Sequence, residues 1–355
     1  MNEKKSFFQM RIAELPFITI FFLIVMYFNL YLMFPGTFSF SRVNFTLTAL
    51  ETTFILLLVT GQAVVILSGN VDLSIGAIVG TSAMIIGVLI DREVSLGVAI
   101  IVALLFCLVV GGINGLLVAK CKLLLPNTKS KFVTLVLLKL PSIVITFIAM
   151  RVVIGLRRVI GDPYGAIRLG EAVRQERSTF LIFFLCVLLL IIVLWIMLEL
   201  SKTGKRIYAL GSTLNLKELP AIDVILKTVK CYMISALCAG LAGLFMVLKV
   251  EAVFFPSPLF GSGVVEITIL AAIIGGISIR GGQGIFLGVL IGVSFEQVLR
   301  TGLLVLRVHP LPSRTIILTV LFIFAVVNTA QSILIRRARE KTPSETPSTI
   351  AEDII

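Results

Sequence analysis

Residues 64–80 read VVILSGNVDLSIGAIVG, two apolar stretches separated by a short polar segment. Gly69 permits a tight turn, and Asn70 and Asp72 are good N-caps for a helix that begins near Ser74. A helix break at membrane depth is tolerated only where its backbone groups are buried in protein or line a wet cavity. The segment therefore indicates either a broken helix on a transport pathway or an ordinary tight loop at the membrane surface. The sequence favours neither interpretation.

Apolar runs of this kind fill most of the chain. Of its 355 residues, 58% are hydrophobic and 14% charged, whereas soluble domains carry about a quarter charged residues. About ten runs have the length of a helical membrane span: 16–34, 47–69, 73–90, 95–119, 132–156, 180–200, 229–250, 264–279, 284–306 and 314–335. We predict an all-α membrane protein with a transmembrane domain at 16–335. The N-terminus, 1–15, and a polar, disordered tail, 336–355, are predicted to be cytoplasmic.

The net charge of +12 comes from bases in short loops between the apolar runs. Such bases orient a membrane protein, because cytoplasmic loops are richer in Lys and Arg than external loops. Their distribution predicts that both termini are cytoplasmic, and no nucleic-acid partner is expected. The basic loop 157–177 goes against this orientation, although Asp162, Glu171 and Glu176 partly balance its charge.

Residue patterns for catalysis or metal binding are not found in the sequence. The five cysteines are scattered without a CxxC pair, and the single histidine, His309, lies between bases and prolines in an expected surface loop. No GxxxxGK[ST] phosphate loop occurs. We expect no catalytic residue, no cofactor and no metal site in this chain. If ATP drives its function, another subunit hydrolyses it.

A second break is predicted at 275–284, GGISIRGGQG, because five glycines in this stretch cannot form a stable helix. A tight cytoplasmic turn is favoured over a phosphate cradle, since no Lys-Ser/Thr pair follows. Both breaks adjoin short spans in the two halves of the chain, which hints at an internal repeat with a central site. The candidates for a translocation pathway are Asn70, Asp72, Ser74, Asn114, Gly275 and Gly276.

The loop 201–223, SKTGKRIYALGSTLNLKELPAID, is basic but also rich in apolar residues. Leu210, Leu214, Leu216 and Leu219 could form one face of a short amphipathic helix. A docking surface for a cytoplasmic partner is favoured over a helix lying on the membrane interface.

Three acids lie within or near apolar runs, where ionisable residues are functional candidates. Glu51 and Glu266 are close to span ends and can reach water. Glu296 lies in the middle of a span with Arg300 four residues later, a spacing that predicts an ion pair within one helix.

Five segments, in order, resemble the permeases of a family of sugar importers. They are VVILSGNVDLSIGAIVG (64–80), GGINGLLVAK (111–120), KLPSIVITFIAM (139–150), TGKRIYALG (203–211) and AAIIGGISIRGGQGIFLGVLIG (271–292). The resemblance covers about residues 45–330. It identifies the chain with permease subunits of binding-protein-dependent ABC importers, a family that includes those for ribose, xylose, allose and autoinducer-2.

This resemblance implies a vitamin-importer-like helical fold with broken helices, in the inner membrane of a bacterium. The implied partners are a cytoplasmic ATP-binding subunit, a second permease subunit of the same or another kind, and an external solute-binding protein. The implied function is ATP-driven import of a small sugar or sugar-like solute across the lipid bilayer. An ion-coupled secondary transporter, with Glu296 as its coupling acid, is the main alternative. A membrane enzyme would need a cluster of acids or histidines that the chain lacks.

The family places the loop 203–223 against its ATPase. The coupling residues implied are Gly204, Lys205, Arg206, Tyr208, Ala209, Gly211 and Glu218. The chain departs from the family at 121–138, which looks like an insertion, so that residues 132–138 could belong to a loop or a separate short helix. It also has Pro220 late in the coupling loop, where a proline is expected to shorten the coupling helix.

Overall fold

The computed structural model describes residues 17–33, 42–124, 131–161, 166–169, 177–212, 219–250, 252–254 and 262–341. Within these ranges the chain forms eleven helices and one pair of short strands. The elements are α1 (Phe17–Met33), α2 (Arg42–Leu67), α3 (Ile75–Asp91), α4 (Leu96–Leu123), α5 (Lys131–Ile160), β1 (Ala166–Arg168), α6 (Arg177–Leu200), α7 (Lys202–Ser212), α8 (Ala221–Val250), β2 (Ala252–Phe254), α9 (Ser262–Ile274), α10 (Gly288–Val305) and α11 (Pro310–Lys341).

All the described helices except α7 fall on the ten predicted spans, so the all-α, multi-pass membrane fold is confirmed. Among the described residues, five helices are long and apolar enough to cross a membrane, namely α4, α8 and α10 whole and the larger parts of α6 and α11. Shorter apolar helical segments lie in α1, α2, α3 and α9. The strands β1 and β2 were not predicted. They pair antiparallel, with Ala166 opposite Phe254.

Helices α2 and α9 end in the same way, with a glycine in the left-handed conformation. Gly69 (φ 79°) donates its N–H to Ile66, and the following N–H bonds to the carbonyl of Val65 at 3.1 Å. Gly276 (φ 90°) repeats this pair of bonds at the end of α9. Such Schellman motifs satisfy the last carbonyls of a helix. The prediction that the eighth span runs to residue 279 was therefore wrong, because the motif ends the helix at Ile274.

The next helix in each half, α3 and α10, also ends in this motif, but without a glycine. Glu93 (φ 62°) bonds to the carbonyl of Ile90 at 2.9 Å, and Arg307 (φ 56°) bonds to that of Leu304 at 3.0 Å. The order of helix, glycine-terminated break, helix and left-handed end thus occurs twice. This repetition supports the internal repeat that the two glycine breaks predicted.

The left-handed ends lead to a stability prediction. Glycine adopts this conformation without the steric cost that a side chain carries. We expect Glu93→Gly and Arg307→Gly each to stabilise the protein by about 1 kcal/mol. Thermal unfolding in detergent measures the change. Arg92→Gly is the matched control, because Arg92 has φ −90° and gains nothing from glycine. Equal stabilisation by the control would contradict the explanation.

The two helices that flank the first break lie in the interior. Every residue from Thr53 to Ser68, and from Ser74 to Gly87, is buried. The long helix α8 packs against α2, α3 and α4, and it approaches α4 so closely that a Cβ on Gly115 would lie 2.6 Å from Val229 Cα. Exposed apolar side chains cover α4, α5, α6 and α11 instead, as expected for helices that face lipid. The first break is therefore enclosed by protein.

Two departures from the family have ordinary local explanations. Helix α5 begins at Lys131 and continues through Pro141, so residues 132–138 are its first turns and not a separate element.

Pro220 precedes α8, and its carbonyl accepts bonds from the N–H groups of Asp223 and Val224 at 2.9 and 3.2 Å. Proline suits the beginning of a helix. Whether Pro220 also shortens the coupling helix stays a prediction, because residues 213–218 lie outside the described residues. The seventh predicted span, α8, begins at Ala221, earlier than the predicted residue 229.

Candidate functional site

The carboxylate of Asp72 is buried in the first break and bound by three donors. One oxygen, Oδ1, accepts from the N–H of Ser74 at 2.8 Å and from its hydroxyl at 2.6 Å. The other, Oδ2, accepts from the hydroxyl of Ser235 on α8 at 3.0 Å. None of the described Lys or Arg residues forms an ion pair with it. Hydrogen bonds are what make such burial of a polar group tolerable.

Side chains from α2 and α8 satisfy the backbone of the break. The Tyr232 hydroxyl donates to the carbonyl of Val71 at 3.0 Å. The Gln62 amide, with its nitrogen turned toward the carbonyl, donates to Asp72 O at 3.1 Å and accepts from Asp72 N at 3.3 Å. Such an amide orientation follows from the hydrogen bonds available. The break has lost helical hydrogen bonds, and these side chains replace them.

Helices α4 and α5 hold the other side of the break. The Asn114 amide on α4 donates to the Ser74 hydroxyl at 3.0 Å, and the N–H of Leu73 donates to Thr146 Oγ1 on α5 at 3.0 Å. Asp72, Ser74, Asn114 and Ser235 form one hydrogen-bonded cluster, and Tyr232 bonds to the adjacent carbonyl of Val71; we call these five residues the Asp72 group.

The Asp72 group is bonded to the middle of α8 through Ser235. Ser235 is 14 residues after the first residue of α8, Ala221, and 15 before its last, Val250, so it lies halfway along a helix long enough to cross a bilayer. Both interpretations of 64–80, a broken helix on a transport pathway and a tight loop at the membrane surface, stay predictions. That Asn70, Asp72, Ser74 and Asn114 contact a solute stays a prediction.

The second break lies at the junction of α9 and α10. A Cβ on Gly275 would lie 2.3 Å from the carbonyl oxygen of Gly288, so the two helices meet through backbone. Asn328 on α11 donates to the last carbonyl of α9, that of Ile274, at 2.9 Å. Gly275 and Gly276 make none of the hydrogen bonds of the Asp72 group, and that they contact a solute stays a prediction.

Helix α7 presents a basic face outward. Lys202, Lys205, Arg206 and Ala209 are exposed, whereas Gly204, Ile207, Tyr208 and Leu210 are buried. Helix α7 is therefore amphipathic, but it contains only Leu210 of the four leucines that were predicted to share one helix face, so that prediction stays untested. Leu214, Leu216 and Glu218 lie outside the described residues.

Tyr208 contacts its own chain. Its hydroxyl lies 2.8 Å from Glu199 Oε1 at the end of α6 and 3.2 Å from the carbonyl oxygen of Gly284 in the second break. Only 7% of the residue is exposed. That Tyr208 also contacts an ATPase stays a prediction.

Glu296 is fully buried and forms the predicted ion pair with Arg300 within α10, with Arg300 Nε 2.8 Å from Glu296 Oε1. Glu266 is exposed on α9. The side chain of Glu51 lies outside what the structure describes. The acid proposed for ion coupling is therefore engaged in a salt bridge.

Sequence reasoning missed several side chains around the first break. They are Gln62, Thr146, Tyr232 and Ser235, together with Lys122 and Lys139, whose ammonium groups both lie 3.4 Å from the carbonyl oxygen of Gly69. Each is polar within or beside an apolar run. Tyr232 and Ser235 also have the spacing of neighbours on one helix face, which is a signal that could have pointed to them.

Residues 44–327 match the family described as branched-chain amino acid transport system / permease component. The autoinducer 2 import system permease protein LsrC of Photorhabdus luminescens is 27% identical over 275 residues, which cover 76% of each chain. The protein of the same name from Escherichia coli is 28% identical over 256 residues, 72% of this chain and 70% of that protein. No solved structure matches this chain.

Proposed function

Because this chain belongs to the branched-chain amino acid transport system / permease component family, we propose that it forms the membrane path of an ATP-driven importer for a small sugar-like solute. Its relatives named as autoinducer 2 import permeases favour such a solute. The observation that carries the proposal is the match of the family to residues 44–327, which include both breaks and α7. Branched-chain amino acids, named in the family description, are the second candidate solutes.

The proposed ATPase partner binds at α7. This helix exposes Lys202, Lys205 and Arg206, and it lies at the same end of the bundle as the last residues of α2 and α9. A basic exposed face suits an acidic groove on a cytoplasmic subunit, since complementary charges guide association. Bases mark cytoplasmic loops, so this end is proposed to face the cytoplasm of a bacterial cell with the permease in the inner membrane.

An uptake experiment tests the function. We expect the permease, reconstituted in proteoliposomes with its ATPase and external binding protein, to transport labelled autoinducer-2. Transport should occur only when ATP is supplied on the side of the membrane that carries the ATPase. Leucine is the competing solute, and a nonhydrolysable ATP analogue is the control. Import of leucine alone would favour the amino-acid alternative. Uptake driven by an ion gradient without ATPase would contradict the proposal.

Charge reversal tests the docking face. We expect Lys205→Glu to lower co-purification of the ATPase about tenfold, because a repulsive charge at such a contact costs about 1.4 kcal/mol or more. Lys249→Glu makes the same change on an exposed residue at the opposite end of α8 and should leave co-purification unchanged. If both variants bind the ATPase as well as the wild type does, α7 is not the docking site.

A further inference from the structure

Three segments that are far apart in the sequence meet without side chains between them. A Cβ on Gly211, in the last turn of α7, would lie 2.0 Å from the carbonyl oxygen of Leu67 and 2.4 Å from Gly282 N. A Cβ on Gly281 would lie 2.5 Å from Gly69 Cα. Real Cβ atoms essentially never approach within 3.0 Å of other atoms. Only glycine therefore fits at Gly211, Gly281 and Gly282, and the left-handed φ of 79° favours glycine at Gly69. We call these four residues the glycine junction (Gly69, Gly211, Gly281 and Gly282).

Hydrogen bonds fasten the same junction. The N–H of Gly282, in the second break, donates to the carbonyl of Leu67 at the end of α2, with 2.8 Å between nitrogen and oxygen. Tyr208, one turn before Gly211, places its hydroxyl 3.2 Å from the carbonyl oxygen of Gly284. The end of α7 thus touches both breaks, and the breaks are bonded to each other.

Backbone contacts of this kind allow little relative movement of the segments that they join. A long side chain absorbs a small movement by changing its rotamer, whereas packed backbone atoms can only move together, since protein interiors transmit strain. From Gly69 the chain reaches Asp72 within three residues, and the Asp72 group binds α8 through Ser235. From Gly282 it reaches α10 within six residues, at Gly288.

We infer that Gly211 is a positioning residue, which locks α7 to both helix breaks so that a displacement of α7 moves the two breaks as one unit. The inference rests on the proposed function, in which the ATPase acts on α7. It goes beyond that function by naming the contact through which the two halves of the permease respond together. Gly211 then acts inside the chain, and its earlier interpretation as a surface for the ATPase does not fit its contacts.

The first test uses the isolated permease and needs no transport. We expect Gly211→Ala to accelerate amide hydrogen exchange at least tenfold in both breaks, 68–74 and 275–287. Gly112→Ala is the matched control, since a Cβ on Gly112 has nothing within 4 Å. Faster exchange confined to 208–212, or to one break, would overturn the inference even if the protein proves to be an importer.

The second test uses the reconstituted importer. We expect Gly211→Ala to bind the ATPase but to import at least tenfold less solute per ATP hydrolysed, a ratio that a general loss of folded protein does not change. Tyr208→Phe, which removes only the hydroxyl, is the replacement variant if Gly211→Ala does not fold. It should also lower the amount of solute imported per ATP hydrolysed. Wild-type ratios in the folded variants would overturn the inference. Failure of the wild type to use ATP would instead count against the proposed function.

Discussion

Replacing Asp72 with alanine is expected to abolish the accumulation of folded permease. The change leaves the N–H and hydroxyl of Ser74 and the hydroxyl of Ser235 without their acceptor in the protein interior. Each buried donor left unpaired costs about 1–3 kcal/mol, so the loss approaches the whole stability of a typical domain, about 5–15 kcal/mol. The yield of monodisperse protein in detergent and its thermal unfolding measure the effect.

Two further variants interpret this result. Asp91→Ala removes an exposed carboxylate at the end of α3 and should leave the yield unchanged. Asp72→Asn keeps an acceptor oxygen for Ser74, and its amide can donate to the Ser235 hydroxyl, so most of the folded protein should be retained. If this asparagine variant folds but no longer transports, the charge of Asp72 itself is needed. If the alanine variant folds like the wild type, these hydrogen bonds do not hold the break.

A leucine at Gly292 is expected to separate α9 from α10. A Cβ at this position would already lie 1.9 Å from the carbonyl oxygen of Ala271, and the rest of the side chain has no space. Overpacking of this kind costs about 1–3 kcal/mol and at times more, and a collision with backbone is the severe case. We expect no folded protein, as measured by the yield from size-exclusion chromatography.

The matched control for this change is Gly155→Leu. Gly155 lies on the exposed face of α5, and a Cβ there meets nothing within 4 Å. This variant should fold, because leucine is a good helix former and faces lipid. Folding of both variants would mean that α9 and α10 can move apart without loss of the structure.

The helices were predictable because long apolar runs have few other solutions in a membrane. Their ends were less so. The apolar run 264–279 includes Ile277 and Ile279, and hydrophobicity alone does not show that Gly276 ends α9 before them. The strands β1 and β2, of three residues each, are too short to leave any period in the sequence.

The polar residues of the first break were predictable as a set, but their burial inside the protein was not. Asn70, Asp72 and Ser74 stand out between apolar runs. Whether they lie at the surface or inside depends on Ser235 and Tyr232, which are more than 160 residues away. The sequence does not show which distant segment two polar side chains in a long helix will bind. The packing of α7 against the two breaks was not predicted for a related reason, since it depends on contacts with the distant residues Gly282 and Leu67.

The distant origin of those contacts affects how the protein is made. A ribosome adds about 5–20 residues per second, so Ser235, 163 positions after Asp72, is synthesised roughly 8–33 seconds later. During this interval α2 and α3 have left the ribosome while the hydroxyls of α8 do not yet exist. Until then Oδ1 of Asp72 can accept from Ser74, but Oδ2 lacks its donor, so the nascent chain must keep that oxygen near water or beside the insertion machinery. The hydrogen bonds of the Asp72 group are therefore completed only when α8 has been synthesised, which makes their formation a late step in biogenesis.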